Sequence, residues 1–278
     1  RESLQNINII KSLQLGTITP DHVIRIKPFP LFIPENYLIN IKFFKDYLKK
    51  EIIKYHSKYL SYFEKNSRHA NSKKIMLNPC PSIIYLQGLG LVSLGNNSSL
   101  SEINADIAEQ NINVISKIER TQKFKTISQK DLFEVEYWSL EQAKIKKNDK
   151  ELLGNIVVIT GGTGVIGEAT LKLFKSKGAE VVVLDINEKK LKSINDKYNI
   201  LTIFCDVTDK KSVVSAFNQV VKKFGGIDIL ISNAGAAPQG PIAGISEDLL
   251  RYSFEVNFFS HQNCASVATN IMINQNTK

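Results

Sequence analysis

The chain has 278 residues, a formal net charge of +9 and an apolar fraction of 43%. This length predicts two domains, each long enough to bury a core of its own. No stretch approaches the roughly 18 apolar residues of a membrane span, which argues against an integral membrane protein. The three cysteines lie far apart, which argues against a disulfide framework and a multi-cysteine metal site. Composition therefore predicts a soluble, cytoplasmic, globular protein with no membrane partner.

The first half of the chain mixes helical and extended patterns. In chain order we predict an extended stretch over 23–26, a long helix over 38–66, strands over 82–86 and 91–94, and helices over 101–118 and 128–144. Pro28, Pro30 and Pro34 exclude a helix between the first two of these elements. The first half is therefore predicted to be a mixed α+β region.

The segment from Asn40 to Lys74 is rich in lysine and supplies most of the net charge. Tyrosines run through the same segment, so a nucleic-acid site has to be weighed against a simpler interpretation. Apolar residues from Ile41 to Tyr62 recur at steps of three and four, which predicts a helix with one buried face and one solvated, lysine-rich face. We therefore expect no nucleic-acid partner.

The second half alternates between short β-branched runs and helical periods. We predict strands over 156–160, 181–184, 201–205 and 227–232, helices over 164–177, 188–197 and 210–224, and a last helix starting near Ser246. Buried strands joined by helices are typical of the α/β class, as a Rossmann doubly wound parallel sheet. A charged interruption over 144–154 separates the halves, so we predict domains over 1–148 and 149–278.

A glycine-rich loop joins the first predicted strand of this sheet to its helix. Gly161 permits the tight turn, Gly164 lets the backbone approach a pyrophosphate, and Gly167 allows close packing of helix on strand. Free N–H groups at the start of the helix attract phosphate. A turn of small residues without function is the weaker interpretation, because the strand, the turn and the helix occur in the order that the motif requires.

Polar residues at the ends of the other strands complete a predicted dinucleotide site. Asp185 ends the second strand, where a carboxylate accepts hydrogen bonds from the adenosine ribose and repels a 2′-phosphate, so NAD is favoured over NADP. Asp206 ends the third strand and is placed to bind the adenine edge. The predicted cofactor-binding residues are Thr160, Gly161, Gly164, Val165, Ile166, Gly167, Asp185, Ile186, Cys205, Asp206, Val207, Asn233, Ala234 and Gly235.

Together these residues resemble the short-chain dehydrogenase/reductase family, from Leu153 to about Met272. The resemblance implies hydride exchange between a nicotinamide cofactor and a small alcohol or carbonyl substrate, in an enzyme that forms homo-oligomers. Asn257 matches the helix asparagine that holds a water for the proton relay, and is the catalytic residue that carries over. Two positions depart from the commonest pattern: Val165 stands where a glycine is usual, and Ser232 replaces an asparagine.

The family's acid–base residues, a Ser and a Tyr with a Lys four positions later, have no counterpart after Asn257. Tyr252 cannot replace them, since it precedes Asn257 and is followed four positions later by Val256. We therefore expect the chain to bind NAD without catalysing the reaction. The chain also starts without Met, so we expect it to be an internal segment of a longer protein.

Three stretches of the first half, 19–25, 86–95 and 133–138, make the whole chain resemble bifunctional rhamnulose-1-phosphate aldolase/alcohol dehydrogenases. That resemblance implies cleavage of a ketose phosphate by a class II aldolase region and oxidation of lactaldehyde by the dehydrogenase. We predict no metal ligands in this chain, and His22 stays open between an active-site and a structural role. Cys80 is predicted to be a loop residue without a nearby histidine. Two alternatives remain: an ordinary short-chain dehydrogenase with an unrelated N-terminal extension, and a dinucleotide-binding module without catalysis.

Overall fold

The computed structural model describes residues 2–68, 70, 72–140 and 150–275. The chain folds as two compact units, Arg1–Lys147 and Asn148–Lys278. The boundary that the sequence predicts, between residues 148 and 149, lies outside the described residues. Within the described residues, no helix is both long enough and apolar enough to cross a bilayer.

The first unit packs helices against a small mixed sheet. Its helices are α1 (Ile7–Leu13), α2 (Val23–Ile26), α3 (Ile41–Ser67), α4 (Ser98–Ile118) and α5 (Gln129–Glu136), and its strands are β1 (Leu31–Ile33), β2 (Ile83–Leu86) and β3 (Gly90–Ser93). The central strand β2 pairs parallel with β1 and antiparallel with β3. One apolar cluster joins α1 and α4 to the sheet, and a second packs the tyrosines of α3 against β1 and α5.

One predicted element of this unit was wrong and another was too long. Residues 23–26 form a helical turn, not an extended stretch, because Pro20 starts a 3₁₀ turn and Val23 and Ile26, three positions apart, both bury their side chains. The helix predicted over 128–144 ends at Glu136, where the Tyr137 N–H closes the last turn on Phe133. Residues 141–144 of that prediction lie outside the described residues. Strand β1 was not predicted, because it has only three residues and a proline lies on either side of it.

The second unit is an α/β sandwich around a four-stranded parallel sheet, as far as the described residues show. Its elements are β4 (Ile156–Thr160), α6 (Val165–Ser176), β5 (Glu180–Asp185), α7 (Glu188–Tyr198), β6 (Leu201–Phe204), α8 (Lys210–Phe224), β7 (Ile229–Ile231), α9 (Glu247–Phe254) and α10 (Ser260–Gln275). The strand order is β6-β5-β4-β7, and every pair is parallel. The predicted doubly wound sheet is confirmed.

Strand order fixes where a ligand can bind in this unit. The chain runs outward from β4 through β5 to β6, then returns across the sheet to β7 on the other side of β4. The connections therefore leave the carboxyl ends of β4 and β7 in opposite directions, which opens a crevice between them. Apolar clusters cover both faces of the sheet. The crevice therefore lies beyond the carboxyl ends of the strands and not within the core.

Candidate functional site

A cavity of about 610 Å³ lies at the carboxyl ends of β4, β5, β6 and β7. Its volume is within the range of small-molecule sites, roughly 300–1,000 Å³. Every predicted cofactor-binding residue except Thr160 lines it, so the structure brings together residues from four strand ends. Thr160 is completely buried beneath the cavity. Asn257 is not part of the lining, although its neighbour Val256 is.

Thr160 and Asn233 join the ends of β4 and β7 by side-chain hydrogen bonds. The Thr160 hydroxyl accepts from the N–H groups of Asn233 (3.0 Å) and Ala234 (3.1 Å). In return, the Asn233 side-chain amide donates to the carbonyls of Thr160 (3.0 Å) and Gly161 (3.1 Å). These four bonds satisfy backbone groups that the parallel sheet leaves unpaired at the switch point, and they fix the floor of the cavity.

The glycine loop has no room for side chains at two of its positions. Gly161 has φ +63°, and a Cβ there would lie 2.8 Å from the Ala234 Cα. A Cβ on Gly167 would lie 2.4 Å from the Gly161 carbonyl oxygen, so only glycine lets α6 pack this closely on the turn. The loop is therefore a tight cradle whose backbone faces the cavity, as a pyrophosphate site requires.

The start of α6 points unpaired backbone donors at this cradle. Gly164 is its N-cap and offers no side-chain oxygen to the first N–H groups of the helix. The first two helical residues are apolar yet exposed, Val165 by 90% and Ile166 by 72%. A ligand with phosphate groups and an apolar flank would satisfy these donors and cover these side chains. The residues present therefore fit a dinucleotide.

Asp185 extends from the end of β5 toward the glycine loop. Its Oδ2 accepts two hydrogen bonds from Thr163, one from the backbone N–H (3.1 Å) and one from the hydroxyl (2.7 Å). Its Oδ1 accepts a third, from the Asn187 N–H (3.0 Å). The carboxylate is thus held in one orientation at the wall of the cavity, where an adenosine ribose would lie.

Asp206 and Cys205 form the wall at the end of β6. The Asp206 carboxylate accepts from the N–H (2.9 Å) and the hydroxyl (2.7 Å) of Thr208, which fixes the turn after the strand. Cys205 is 2% exposed, and burial raises the pKa of its thiol to about 11. Cys264 is also buried, and its thiol pKa is raised to about 12 by the same cause. Both cysteines are therefore packing residues and poor nucleophiles at neutral pH.

Asn257 fixes the segment that follows Gly235. It lies in a single π-helical turn, Glu255–Phe259, between α9 and α10. Its amide donates to the Ala236 carbonyl (2.6 Å), and its side-chain oxygen accepts from the Ala236 N–H (3.0 Å). The extra residue of a π turn rotates a side chain out of helical register, and such turns recur at functional sites. The Asn257 side chain therefore holds the backbone of the loop that follows β7.

Seven residues that line the cavity were not predicted to bind the cofactor: Thr163, Asn187, Lys190, Thr208, Ala236, Tyr252 and Val256. Thr163 could have been found, because it lies inside the glycine loop. Asn187 and Lys190 belong to the start of α7, and Tyr252 to α9, so their approach depends on the tertiary fold. A further contact was also missed: the Ser232 hydroxyl lies 2.6 Å from Nδ1 of His261 on α10.

In the first unit, the described residues contain no group of three or more His, Cys, Asp or Glu side chains that could hold a metal. His22 lies in the 3₁₀ turn before α2, and its buried Nδ1 has no hydrogen-bond partner among the described atoms. The prediction that no histidine approaches Cys80 was wrong, because the His56 Nε2 lies 3.4 Å from the Cys80 Sγ. The two are 24 residues apart, and α3 brings them together.

Each of the two units matches the model of one protein family. The second domain of class II aldolases matches residues 2–145, and the short chain dehydrogenase family matches residues 155–277. The chain belongs to the proteins that join a class II aldolase region to a short-chain dehydrogenase. We therefore call the two units the aldolase unit and the dehydrogenase unit. The match over 2–145 also excludes the alternative of an unrelated N-terminal extension.

Individual relatives extend over different parts of the chain. The uncharacterized oxidoreductase YuxG of Bacillus subtilis is 30% identical over 82% of this chain and 34% of its own length. Short chain aldehyde dehydrogenase 1 of Euphorbia lathyris is 35% identical over 45% of each chain. A solved short chain dehydrogenase from Mycobacterium smegmatis is 27% identical over 42% of this chain and 52% of its own, with a TM-score of 0.41. The chain thus spans between a third and about half of these proteins.

Proposed function

We propose that the dehydrogenase unit binds NAD(H) in the cavity at the ends of β4 and β7. One observation carries the proposal: Asp185 and the glycine loop line the same cavity and are hydrogen-bonded to each other. This arrangement supports a pyrophosphate at the start of α6 and an adenosine ribose at Asp185. When bound, NAD supplies the hydride acceptor for oxidation of a small alcohol or aldehyde, the class of reaction that the family performs.

Charge at the ribose end supports NAD over NADP. The carboxylate of Asp185 is held at the wall by three donors, so it cannot turn away from a 2′-phosphate. Two negative groups at contact distance repel each other strongly in a partly enclosed site. Lys190 lines the same cavity and provides the opposite charge. The balance between these two side chains therefore decides the preference, and the fixed position of Asp185 favours NAD.

The chain's own residues hold the cofactor and shape the reacting end. Thr160 and Asn233 keep the floor rigid, while Asn257 fixes the Ala236 backbone next to Gly235. In our proposal this loop borders the nicotinamide, and Asn257 is a positioning residue that also holds the relay water. The sequence contains no Tyr-x-x-x-Lys after Asn257. We therefore propose that this polypeptide binds the cofactor without turnover.

The individual substrates that we propose rest on the resemblance to bifunctional rhamnulose-1-phosphate aldolase/alcohol dehydrogenases. We propose lactaldehyde as the substrate of the dehydrogenase in the whole protein, and a rhamnulose-1-phosphate aldolase for the region to which the aldolase unit belongs. A homo-oligomer and a cytoplasmic location are proposed on the same resemblance. Sedimentation velocity of the purified chain tests the first, and fluorescence microscopy of a tagged whole protein tests the second.

Calorimetric titration of the purified chain with NAD, NADH, NADP and NADPH tests the central proposal. We expect binding of NAD(H) at micromolar to millimolar concentrations and at least tenfold weaker binding of NADP(H). The same sample incubated with NAD and lactaldehyde is expected to form no NADH. No binding of any of the four nucleotides would reject a nucleotide site, and a preference for NADP(H) would reject the role of Asp185. Measurable NADH formation would reject the absence of turnover.

A further inference from the structure

The aldolase unit contains a cavity of its own, of about 210 Å³. Two of the stretches that carry the family resemblance meet in it. Arg25 and Lys27 come from α2 and the residue that ends it, whereas Gly95 and Asn96 come from the connection between β3 and α4. The segment from Asn78 to Ser82 closes a third side. Residues far apart in the sequence therefore build one small cavity, which we call the chamber.

The charge of this chamber has one sign. Arg25 and Lys27 both line it, together with the side-chain donors Ser82 and Asn96, and no Asp or Glu is among its lining residues. Arg25 is half-buried, and within the described residues its guanidinium makes no hydrogen bond or ion pair. A guanidinium has five N–H donors in a planar fork that matches an oxyanion. The Arg25 guanidinium is therefore available to bind an oxyanion in the chamber.

Lys27 is held at the chamber at a structural cost. Its backbone has φ +65° and ψ 167°, a strained region that residues other than glycine rarely adopt. Its Nζ donates to the Asn78 carbonyl and lies 3.9 Å from the centre of the Tyr59 ring. Burial lowers the pKa of its ammonium to about 8, so the charge is present at pH 7 but poorly solvated. An anion beside it would stabilise that charge.

One buried carboxyl has to be weighed against this interpretation. Glu136 interacts electrostatically with Lys27, but it is completely buried and does not line the chamber. Burial also raises the pKa of Glu136 to about 7, so near neutral pH it is ionised only in part. It therefore offsets the lysine charge incompletely.

We propose that this chamber is a binding site for a small oxyanion, with a phosphate group bound between Arg25 and Lys27. Two cations and neutral amide and hydroxyl donors suit a doubly charged tetrahedral anion better than a carboxylate. The volume admits inorganic phosphate or the phosphate end of a small ester, but not a nucleotide. The site is independent of the NAD proposal, because every residue in it belongs to the aldolase unit.

Calorimetric titration of the whole chain with sodium phosphate at pH 7, against sodium chloride of equal ionic strength, tests the site. Saturating NADH is present in both titrations, so that the glycine loop does not contribute a second phosphate site. We expect phosphate to bind with a millimolar or lower dissociation constant. R25Q is expected to weaken this binding at least tenfold, because the amide keeps the polarity but loses the charge and the fork.

K58M is the matched control, since Lys58 is a cation of the same unit that lies over the Phe29 ring and does not line the chamber. It is expected to bind phosphate as the unchanged chain does. Far-ultraviolet circular dichroism verifies that each variant is folded. Absence of phosphate binding by the unchanged chain, or equal binding by R25Q, would overturn the site. If NADH itself fails to bind, the comparison between R25Q and K58M still decides this proposal.

Discussion

Thr163 and Asp185 are joined across the cavity by two hydrogen bonds, from the Thr163 N–H and hydroxyl to the same carboxylate oxygen. The other oxygen accepts from the Asn187 N–H. A carboxylate has about four acceptor positions, so three of them are already occupied by protein donors. In our proposal, one position remains for the ribose. The pair therefore orients the carboxylate and would limit a bound cofactor to a single strong hydrogen bond there.

Removing the Thr163 hydroxyl is expected to weaken NAD binding. In T163V the side chain keeps its shape, but Asp185 loses its shortest hydrogen bond and is held only by the N–H groups of residues 163 and 187. We expect the NAD dissociation constant to rise about 3- to 10-fold, which corresponds to roughly 1 kcal/mol for a hydrogen bond of this kind. T163S keeps the hydroxyl and is expected to bind NAD like the unchanged chain. Equal binding by all three proteins would show that Thr163 does not orient the carboxylate.

Replacing Asp185 is expected to change the cofactor preference. D185A removes the repulsion of a 2′-phosphate and leaves Lys190 as the one Lys or Arg among the described residues that line the cavity. We expect NAD binding to weaken about tenfold and NADP binding to strengthen, which titration with each nucleotide measures. In the double variant D185A/K190M the gain for NADP is expected to disappear. If D185A still prefers NAD to the same degree, the preference lies elsewhere in the cavity.

The cradle at Gly161 allows a test of close packing with an internal control. G161A forces a side chain into positive φ and places a Cβ 2.8 Å from the Ala234 Cα. Gly225 also has positive φ, +87°, but no atom lies within 4 Å of a Cβ built there. We therefore expect G225A to lose about 1 kcal/mol of stability and G161A about 2–4 kcal/mol, since the steric overlap adds to the backbone strain.

Thermal unfolding followed by circular dichroism measures both glycine variants. The chain has one tryptophan, Trp138, which lies in the aldolase unit, so its fluorescence follows that unit separately. Both variants are expected to shift the transition of the dehydrogenase unit and to leave the Trp138 transition in place. Equal losses in G161A and G225A would contradict the close approach of the loop to the end of β7.

Local sequence patterns predicted the dehydrogenase unit well because its signals are short-range. Each strand is a β-branched run, and the glycine loop sits between a strand and a helix, so periodicity alone indicated the parallel sheet. The contact from Thr163 to Asp185 was not predictable in this way. It spans 22 residues and depends on β4 and β5 being neighbours with a defined register.

The aldolase unit shows the opposite case. Residues 23–26 are β-branched except for Arg25, and propensity favours a strand, yet burial of Val23 and Ile26 on one side makes a helical turn. The approach of His56 to Cys80 likewise depends on how α3 packs, which no local pattern reports. The chamber at Arg25 and Lys27 joins segments about 70 residues apart. The helical turn, the contact of His56 with Cys80 and the chamber all depend on long-range packing, so local sequence patterns could not predict them.

Glu136 makes the stability of the aldolase unit depend on pH. Its side chain is completely buried and accepts a hydrogen bond of 2.7 Å from the Tyr59 hydroxyl. Burial raises the pKa of this carboxyl to about 7, against which the Tyr59 bond and the Lys27 charge act only in part. The folded unit therefore retains a proton that the unfolded chain releases above pH 4.5. Where the folded state binds more protons, stability falls as the pH rises.

We expect the free energy of unfolding of the aldolase unit to decrease by on the order of 2–3 kcal/mol between pH 4.5 and 7 through this group. Urea unfolding followed by Trp138 fluorescence at several pH values measures it. E136Q carries a neutral amide at every pH, so its stability is expected to lose this slope. E134Q is the matched control, because Glu134 lies on the same helix with an exposed side chain and is expected to keep the slope of the unchanged chain. The lowered pKa of Lys27, about 8, acts above this window and does not produce the same signal. A slope that persists in E136Q would assign the retained proton to another group.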